Sequence, residues 1–169
     1  MKEALEIINS VLAQHSTIAD HVTDASNKMN DIDAIFNVQR EAYKVAWSSS
    51  SVNDLLENRN QLKEKIQVLE DGLSKHFAYE EKVFPLVLGE ILLKDILSDH
   101  RKVSERIEIV KSILNSLEGL EKEELFAKRT ELLESVNDLS DTITRHAHSE
   151  DRVLTMIKNA FDEYAESKD

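Results

Sequence analysis

Apolar residues recur every three or four positions along four long segments of this chain, and in each segment a histidine interrupts the pattern. This spacing puts one apolar stripe on one face of an α-helix, as in helices that pack against each other. The polar residues within the four stripes are His15, His76, Glu80, His100, His146 and Glu150. An unpaired polar group in a dry core costs roughly a few kcal/mol, so we expect these six side chains to meet partners there.

The composition favours helices throughout. Only 3 glycines and 1 proline occur among the 169 residues, so residues that break a helix are scarce. We predict one all-α domain over residues 1–169, an antiparallel up-down-up-down four-helix bundle. The predicted helices cover about 3–44, 53–86, 90–117 and 121–165. The breaks between them are a serine run at 48–51, the pair Pro85 and Gly89, and Gly119, with Ser51 or Asn53 as the expected cap of the second helix.

The positions of the histidines test this topology. When residues on consecutive antiparallel helices lie at one level, the turn between them falls midway along the sequence. The midpoints between consecutive stripe histidines lie near residues 45, 88 and 123, each within a few residues of a predicted break. We therefore expect the four histidines to share one layer of the bundle. The two halves of the chain also resemble each other weakly, since each gives one histidine and then one His-x-x-x-Glu.

Charge and cysteine content exclude several classes of protein. The formal net charge is −12, which argues against nucleic acid or an anionic membrane as a partner. The chain has no cysteine, so it forms no disulfide and no thiolate-bound iron–sulfur cluster. No signal peptide or membrane span is evident. We expect a soluble cytoplasmic protein and a monomer.

The six stripe residues are typical ligands of a transition metal. Mixed imidazole and carboxylate ligation suits iron, manganese or zinc. Two carboxylates shared among four imidazoles suit two metal ions a few ångströms apart, with an open coordination position for a small molecule. A hydrogen-bonded polar layer without metal is the alternative, and it requires every imidazole and carboxylate to satisfy the others.

With this set of residues, the chain resembles the hemerythrin-like HHE cation-binding domains. The residues that carry the resemblance are His15, His76-x-x-x-Glu80, His100 and His146-x-x-x-Glu150. The resemblance spans nearly the whole chain. It implies a four-helix bundle that holds two iron ions joined by an oxo or hydroxo bridge.

The resemblance also assigns the ligands. It implies that His15 and His76 bind one iron. It implies that His100 and His146 bind the other, with the two stripe glutamates bridging. The oxygen-carrying hemerythrins have a further histidine where this chain has Ser104, and their last carboxylate stands where this chain has Asp151. The ligand set is closer to the branch that contains iron–sulfur cluster repair proteins and iron- or oxygen-sensing domains.

Three functions follow as expectations. The first is a non-haem di-iron protein that binds or reacts with O2, NO or peroxide. The second is an iron donor for the repair of damaged iron–sulfur clusters, and the third is a helical interaction module stabilised by metal. Whether the protein is an enzyme stays open.

We expect several polar residues outside the stripes to have no part in a functional site. We expect His21 and His148 on the surface and Tyr79 at a helix interface. We expect Glu81 and Asp151 to be solvated or paired with neighbouring basic residues.

Overall fold

Four α-helices make up nearly all of the computed structural model, which describes the backbone of residues 2–41, 49–120 and 122–166. The helices are α1 (Lys2–Glu41), α2 (Ser49–Val83), α3 (Gly89–Ser116) and α4 (Lys122–Glu166), with a 3-10 turn at Phe84–Leu86. No strand occurs in these ranges, so the all-α prediction is confirmed. None of the described helices is both long and apolar enough to cross a membrane.

The helices begin and end within a few residues of the predicted bounds, apart from α2. This helix begins at Ser49 instead of near 53, so Ser51 and Asn53 lie inside it and the expected cap is wrong. No glycine or proline stands between 49 and 53, so nothing in the backbone prevents an earlier start. Two predicted positions lie outside the described residues. These are the end of the first helix near 44 and the first serine of the run at 48–51.

The two turns with glycine require that residue. Gly89 and Gly119 have φ angles of +74° and +75°, in the left-handed region where a Cβ atom adds strain. Pro85 stands in the first turn of the 3-10 segment, where its missing N–H leaves no hydrogen bond unmade. The Leu88 N–H closes this turn with a 2.8 Å hydrogen bond to the carbonyl of Phe84. These features end α2 and start α3 in a new direction.

The helices pack as a four-helix bundle around two apolar clusters. The larger cluster is built from long stretches of all four helices and includes Met29, Leu62, Val110 and Leu132. The smaller cluster includes Ile8, Val11, Phe84, Ile96 and Leu154. Each fully buried aliphatic side chain contributes roughly 1.5–3 kcal/mol to folding.

The stripe histidines fall between the two clusters in every helix. In α1 and α3 the larger cluster lies on the C-terminal side of the histidine, and in α2 and α4 it lies on the N-terminal side, except that Phe77 directly follows His76. Each helix contacts two neighbours, and ion pairs mark the seams between them. These pairs are Asp24–Lys65, Glu70–Lys111, Arg106–Asp138 and Asp33–Arg129. The polar residues thus interrupt an otherwise apolar interior at one level.

Candidate metal centre

The six polar stripe residues lie together in one layer, here called the polar layer. None of the six is more than 5% exposed. They form two groups of four, and within each group one nitrogen or oxygen atom per residue lies within 4.8 Å of the others. The groups are His15, His76, Glu80, Glu150 and Glu80, His100, His146, Glu150. Both carboxylates belong to both groups, so the layer contains two neighbouring positions that share them.

The Nε2 atoms of the histidines face the interior of the polar layer. Nε2 of His15 lies 3.0 Å from Nε2 of His76, which itself lies 3.0 Å from Oε1 of Glu80. On the other side, Nε2 of His100 lies 3.1 Å from Oε2 of the same glutamate. Nε2 of His146 lies 3.7 Å from Oε1 of Glu150. Glu80 therefore stands between histidines of both groups.

Three of the histidines are held from outside through Nδ1. The Nδ1–H of His15 donates to Asp151 at 2.6 Å, and that of His100 donates to Glu81 at 3.1 Å. The Nδ1–H of His76 donates to the amide oxygen of Gln14 at 3.0 Å. Oxygen acceptors on Nδ1 orient an imidazole and direct the Nε2 lone pair inward. This arrangement is typical of histidines that bind a metal through Nε2.

The hydrogen-bond pattern leaves pairs of acceptors facing each other. The Gln14 amide donates to Ser10 at 3.1 Å, which turns its oxygen toward His76. With Nδ1 as donor, a neutral His76 carries a lone pair on Nε2, and the same holds for His15. Two lone pairs 3.0 Å apart repel unless a proton or a cation lies between them. A proton on Nε2 of His15 fills this role without metal, and a cation that replaces the proton would be held by both nitrogens.

Several buried atoms of the polar layer have no hydrogen-bond partner. They are Oε1 of Glu80, Nε2 of His146 and both carboxylate oxygens of Glu150. Glu150 does lie 3.3 Å from Nε2 of His15, but not in hydrogen-bonding geometry. Buried carboxylate oxygens are nearly always paired, so a cluster of four unpaired ligand atoms calls for an explanation. These donor atoms fit two cations.

Charge in the layer is redistributed by burial and by these contacts. Burial on its own lowers the pKa of His15, but contacts with Glu150, Glu80 and Asp151 outweigh burial and raise it to about 10. The pKa of His100 is likewise lowered by burial and raised overall by its two carboxylate partners. Without metal, each half of the layer thus contains one histidine whose protonated, positively charged form is stabilised.

The pKa values of the two glutamates shift in opposite directions. Burial raises the pKa of Glu80, but a hydrogen bond from His100 and close contacts with His15 and His76 bring it well below the usual range. Burial raises the pKa of Glu150 to about 7, and the charge of Glu80 adds to this effect. Burial also lowers the pKa of His146 to about 4, helped by the charge of His100. Protons therefore partly occupy the metal-free layer, and a metal ion displaces them on binding.

Phe77 shields one side of the polar layer. Its ring stacks on His100 with a centroid distance of 3.8 Å and an interplanar angle of 13°. The same ring meets His146 edge-on at 5.6 Å. Phe84 and Leu154, both 0% exposed, lie in the smaller apolar cluster on the far side of the layer. Apolar packing on both sides keeps bulk water from the ligand atoms.

The expected roles of Glu81 and Asp151 were incomplete. Both side chains are partly solvated, as expected, with 48% and 42% of their surface exposed. Each also accepts a hydrogen bond from a buried histidine of another helix, which was not predicted. The role of Gln14 was not predicted at all. One signal was available in the sequence, because each acid directly follows a stripe glutamate and so lies just beside the stripe.

The remaining polar residues lie outside the polar layer. His148 is exposed and His21 is half-buried, so neither joins the layer. Tyr79 is half-buried against the smaller apolar cluster, at a helix interface as expected. The hydroxyl of Ser104 donates to the carbonyl of His100 at 2.9 Å within its own helix. The serine is therefore not a ligand in this arrangement.

A comparison with known families places the chain in one of them. The family model of the hemerythrin HHE cation binding domain matches residues 6–157. The chain belongs to this family. Domains of the hemerythrin HHE family bind metal cations, typically iron, and the two groups of the polar layer fit that property. No curated protein and no solved structure matches the chain.

Proposed function

We propose that this hemerythrin HHE domain holds two iron ions in the polar layer and binds or reacts with O2, NO or peroxide there. The observation that carries the proposal is the set of buried ligand atoms without a hydrogen-bond partner. These atoms are Oε1 of Glu80, Nε2 of His146 and both carboxylate oxygens of Glu150. Buried polar atoms left without a partner cost free energy, and a bound cation would compensate for that cost.

On this proposal, His15 and His76 would hold one ion, and His100 and His146 would hold the other. Glu80 and Glu150, which belong to both groups, would serve both ions. Iron held by these residues would supply redox chemistry and a position for a small-molecule ligand.

The protein's own residues orient the ligands and limit water. Asp151, Glu81 and Gln14 accept hydrogen bonds from Nδ1 of three histidines, so that each directs Nε2 into the polar layer, where loss of any Nε2 proton would free the lone pair for a metal. Phe77 covers the imidazole of His100. The polar layer is thus a preorganised pocket of oxygen and nitrogen atoms in apolar surroundings, which favours small uncharged ligands over water.

We also infer that the four helices alternate in direction. Between α1 and α2, contacts join His15 to His76 and Asp24 to Lys65, so residue numbers rise on one helix as they fall on the other. The alternation of the larger cluster between the C-terminal and N-terminal sides of the histidines agrees with this inference. An up-down-up-down arrangement brings one histidine of each helix to the same level.

Metal analysis of the purified protein tests the proposal. We expect about two iron ions per chain after reconstitution under anaerobic conditions, one for each group of the polar layer. His146→Ala should lose at least half of the bound iron. The matched control is His148→Ala, which removes an exposed histidine from the same helix and should leave the iron content unchanged. Iron below half an ion per chain in the unmodified protein contradicts the proposal.

Two alternatives use the same residues and need separate tests. An iron donor must release iron to an apo iron–sulfur protein, whereas deep burial of all six ligands favours retention. A metal that only stabilises the fold must leave the absorption spectrum indifferent to O2 and NO. Spectral changes with NO, together with no transfer of iron to an apo-ferredoxin, distinguish the proposed function from both.

A further inference from the structure

A small apolar pocket leads from the surface to one side of the polar layer. It lies between α3 and α4 and has a volume of about 130 Å³. Its apolar walls are Leu88, Leu92, Ile96, Val153 and Leu154. His146 and Glu150 also line it, and these two residues hold three of the layer's four unpaired ligand atoms. The pocket therefore reaches the polar layer on the side of the group that contains His100 and His146.

Exposure changes steadily along the pocket. Leu92 is 42% exposed, Ile96 is 9% exposed and Leu154 is 0% exposed. Two acids, Asp95 and Asp99, also line the pocket, and the side chain of Asp99 is 38% exposed. The acids thus stand at the rim, while the inner walls are apolar.

The pocket lies where the two halves of the domain differ. Gln14 directly precedes His15, and in the matching stretch Asp99 directly precedes His100. Gln14 turns inward and accepts the Nδ1–H of His76. Asp99 instead pairs with Lys102 at 2.6 Å. Within the described residues, no side chain takes the place of Gln14 beside His146, and the space beside that ring remains open.

We propose that this pocket admits a small, neutral, apolar molecule to the position held by His100 and His146, and that its acidic rim disfavours anions. The part concerning the metal position rests on the proposed function. Among the residues that the structure describes, no lysine or arginine lines the pocket, and the charge of Lys102 is largely solvated because its side chain is 60% exposed.

Size and charge select the ligand. An apolar cavity of about 150 Å³ stays dry and accepts a molecule as small as xenon or as large as benzene. The described pocket is slightly smaller, so diatomic gases fit, whereas most organic substrates do not. An anion must pass Asp95 and Asp99 and then enter a medium of low polarity, and both steps are unfavourable. Azide and nitrite are therefore disfavoured relative to NO and O2.

Xenon binding to the metal-free protein tests the pocket directly. We expect a crystal under xenon pressure to hold xenon among Ile96, Val153 and Leu154. Val153→Trp should fill the space and abolish that site, and Leu92→Trp, at the partly exposed rim, should also reduce xenon occupancy. The control is Met156→Trp, which adds the same bulk at a 66% exposed position outside the pocket. Absence of xenon from the unmodified protein, or full occupancy in both filled variants, overturns the proposal.

Ligand association with the iron-loaded protein tests the charge selection. Asp95→Asn combined with Asp99→Asn should raise the association rate of azide by about threefold to tenfold and leave that of NO unchanged. Val153→Trp should slow both ligands. An azide rate that does not respond to the double substitution contradicts the acidic filter. Xenon binding is measured on the metal-free protein, whereas the di-iron site is tested by iron content. The two experiments therefore distinguish failure of the pocket proposal from failure of the proposed function.

Discussion

Asp151 on α4 accepts a 2.6 Å hydrogen bond from Nδ1 of His15 on α1, 136 residues earlier in the chain. The other half of the domain repeats this relationship, because Glu81 accepts from Nδ1 of His100. Each acid directly follows a stripe glutamate, so one helix supplies both a carboxylate of the polar layer and a support for a histidine on its neighbour. The two halves therefore orient each other's histidines.

Loss of these supports should weaken metal binding without removing a ligand. Asp151→Asn keeps the size of the side chain but replaces a charged acceptor with a neutral amide. We expect iron affinity to fall about 10-fold to 100-fold, as is usual when the partner of a metal-bound histidine is changed. Competition with a chelator of known affinity measures the change. Asp162→Asn, at an exposed position on the same helix, is the control and should have no effect.

Metal binding should release protons. The pKa of His15 is raised to about 10, that of Glu150 is raised to about 7, and that of His100 is raised by its carboxylate partners, so near pH 6 all three groups carry protons in the metal-free protein. All three must lose these protons to bind an ion, so we expect about three protons released per chain near pH 6. Calorimetric titration with ferrous iron in two buffers of different ionisation enthalpy counts these protons. Identical heats in the two buffers contradict this prediction.

The metal-free protein should be most stable near pH 5–6. Glu80, with a lowered pKa, and His146, with its pKa lowered to about 4, both stabilise the fold at higher pH and lose that contribution as pH falls. His15 has a raised pKa, so its contribution is complete below pH 6.5 and disappears as pH rises toward 10. The contribution of Glu150 falls as pH rises from 4.5 through 7. Stability thus decreases on both sides of the optimum.

Urea denaturation at a series of pH values, with chelator present, measures this profile. Iron should displace the protons and stabilise the alkaline side, where the ligands bind metal in their deprotonated forms. The metal-loaded protein should therefore reach its maximum at a higher pH than the metal-free protein. A metal-free optimum above pH 8 contradicts the assigned directions of the pKa shifts.

The helices and the polar layer followed from the sequence, whereas the supports around the layer did not. Apolar periodicity fixes which face of each helix turns inward, so His76 and Glu80 were placed correctly with the other stripe residues. Glu81 and Asp151 lie just beside the stripe, and their partners depend on how closely two helices approach, which periodicity does not encode. Likewise, Gln14 and Asp99 occupy matching positions but turn in different directions. That difference, which opens the pocket, depends on side-chain packing in three dimensions.

The polar layer should cost stability when no metal is bound. Both oxygens of Glu150 are buried without a hydrogen-bond partner, and replacing such a group with an apolar side chain of similar volume often stabilises a protein. Glu150→Leu should therefore raise the free energy of unfolding of the metal-free protein at pH 8 by about 1–3 kcal/mol. The same substitution removes a ligand shared by both groups, so added iron should no longer stabilise the variant. The exposed Glu163→Leu on the same helix is the control, and there iron should stabilise the fold as in the unmodified protein. If Glu150→Leu destabilises the metal-free protein, then the carboxylate contributes to folding through bonds of its own, and its burial is not a consequence of metal binding.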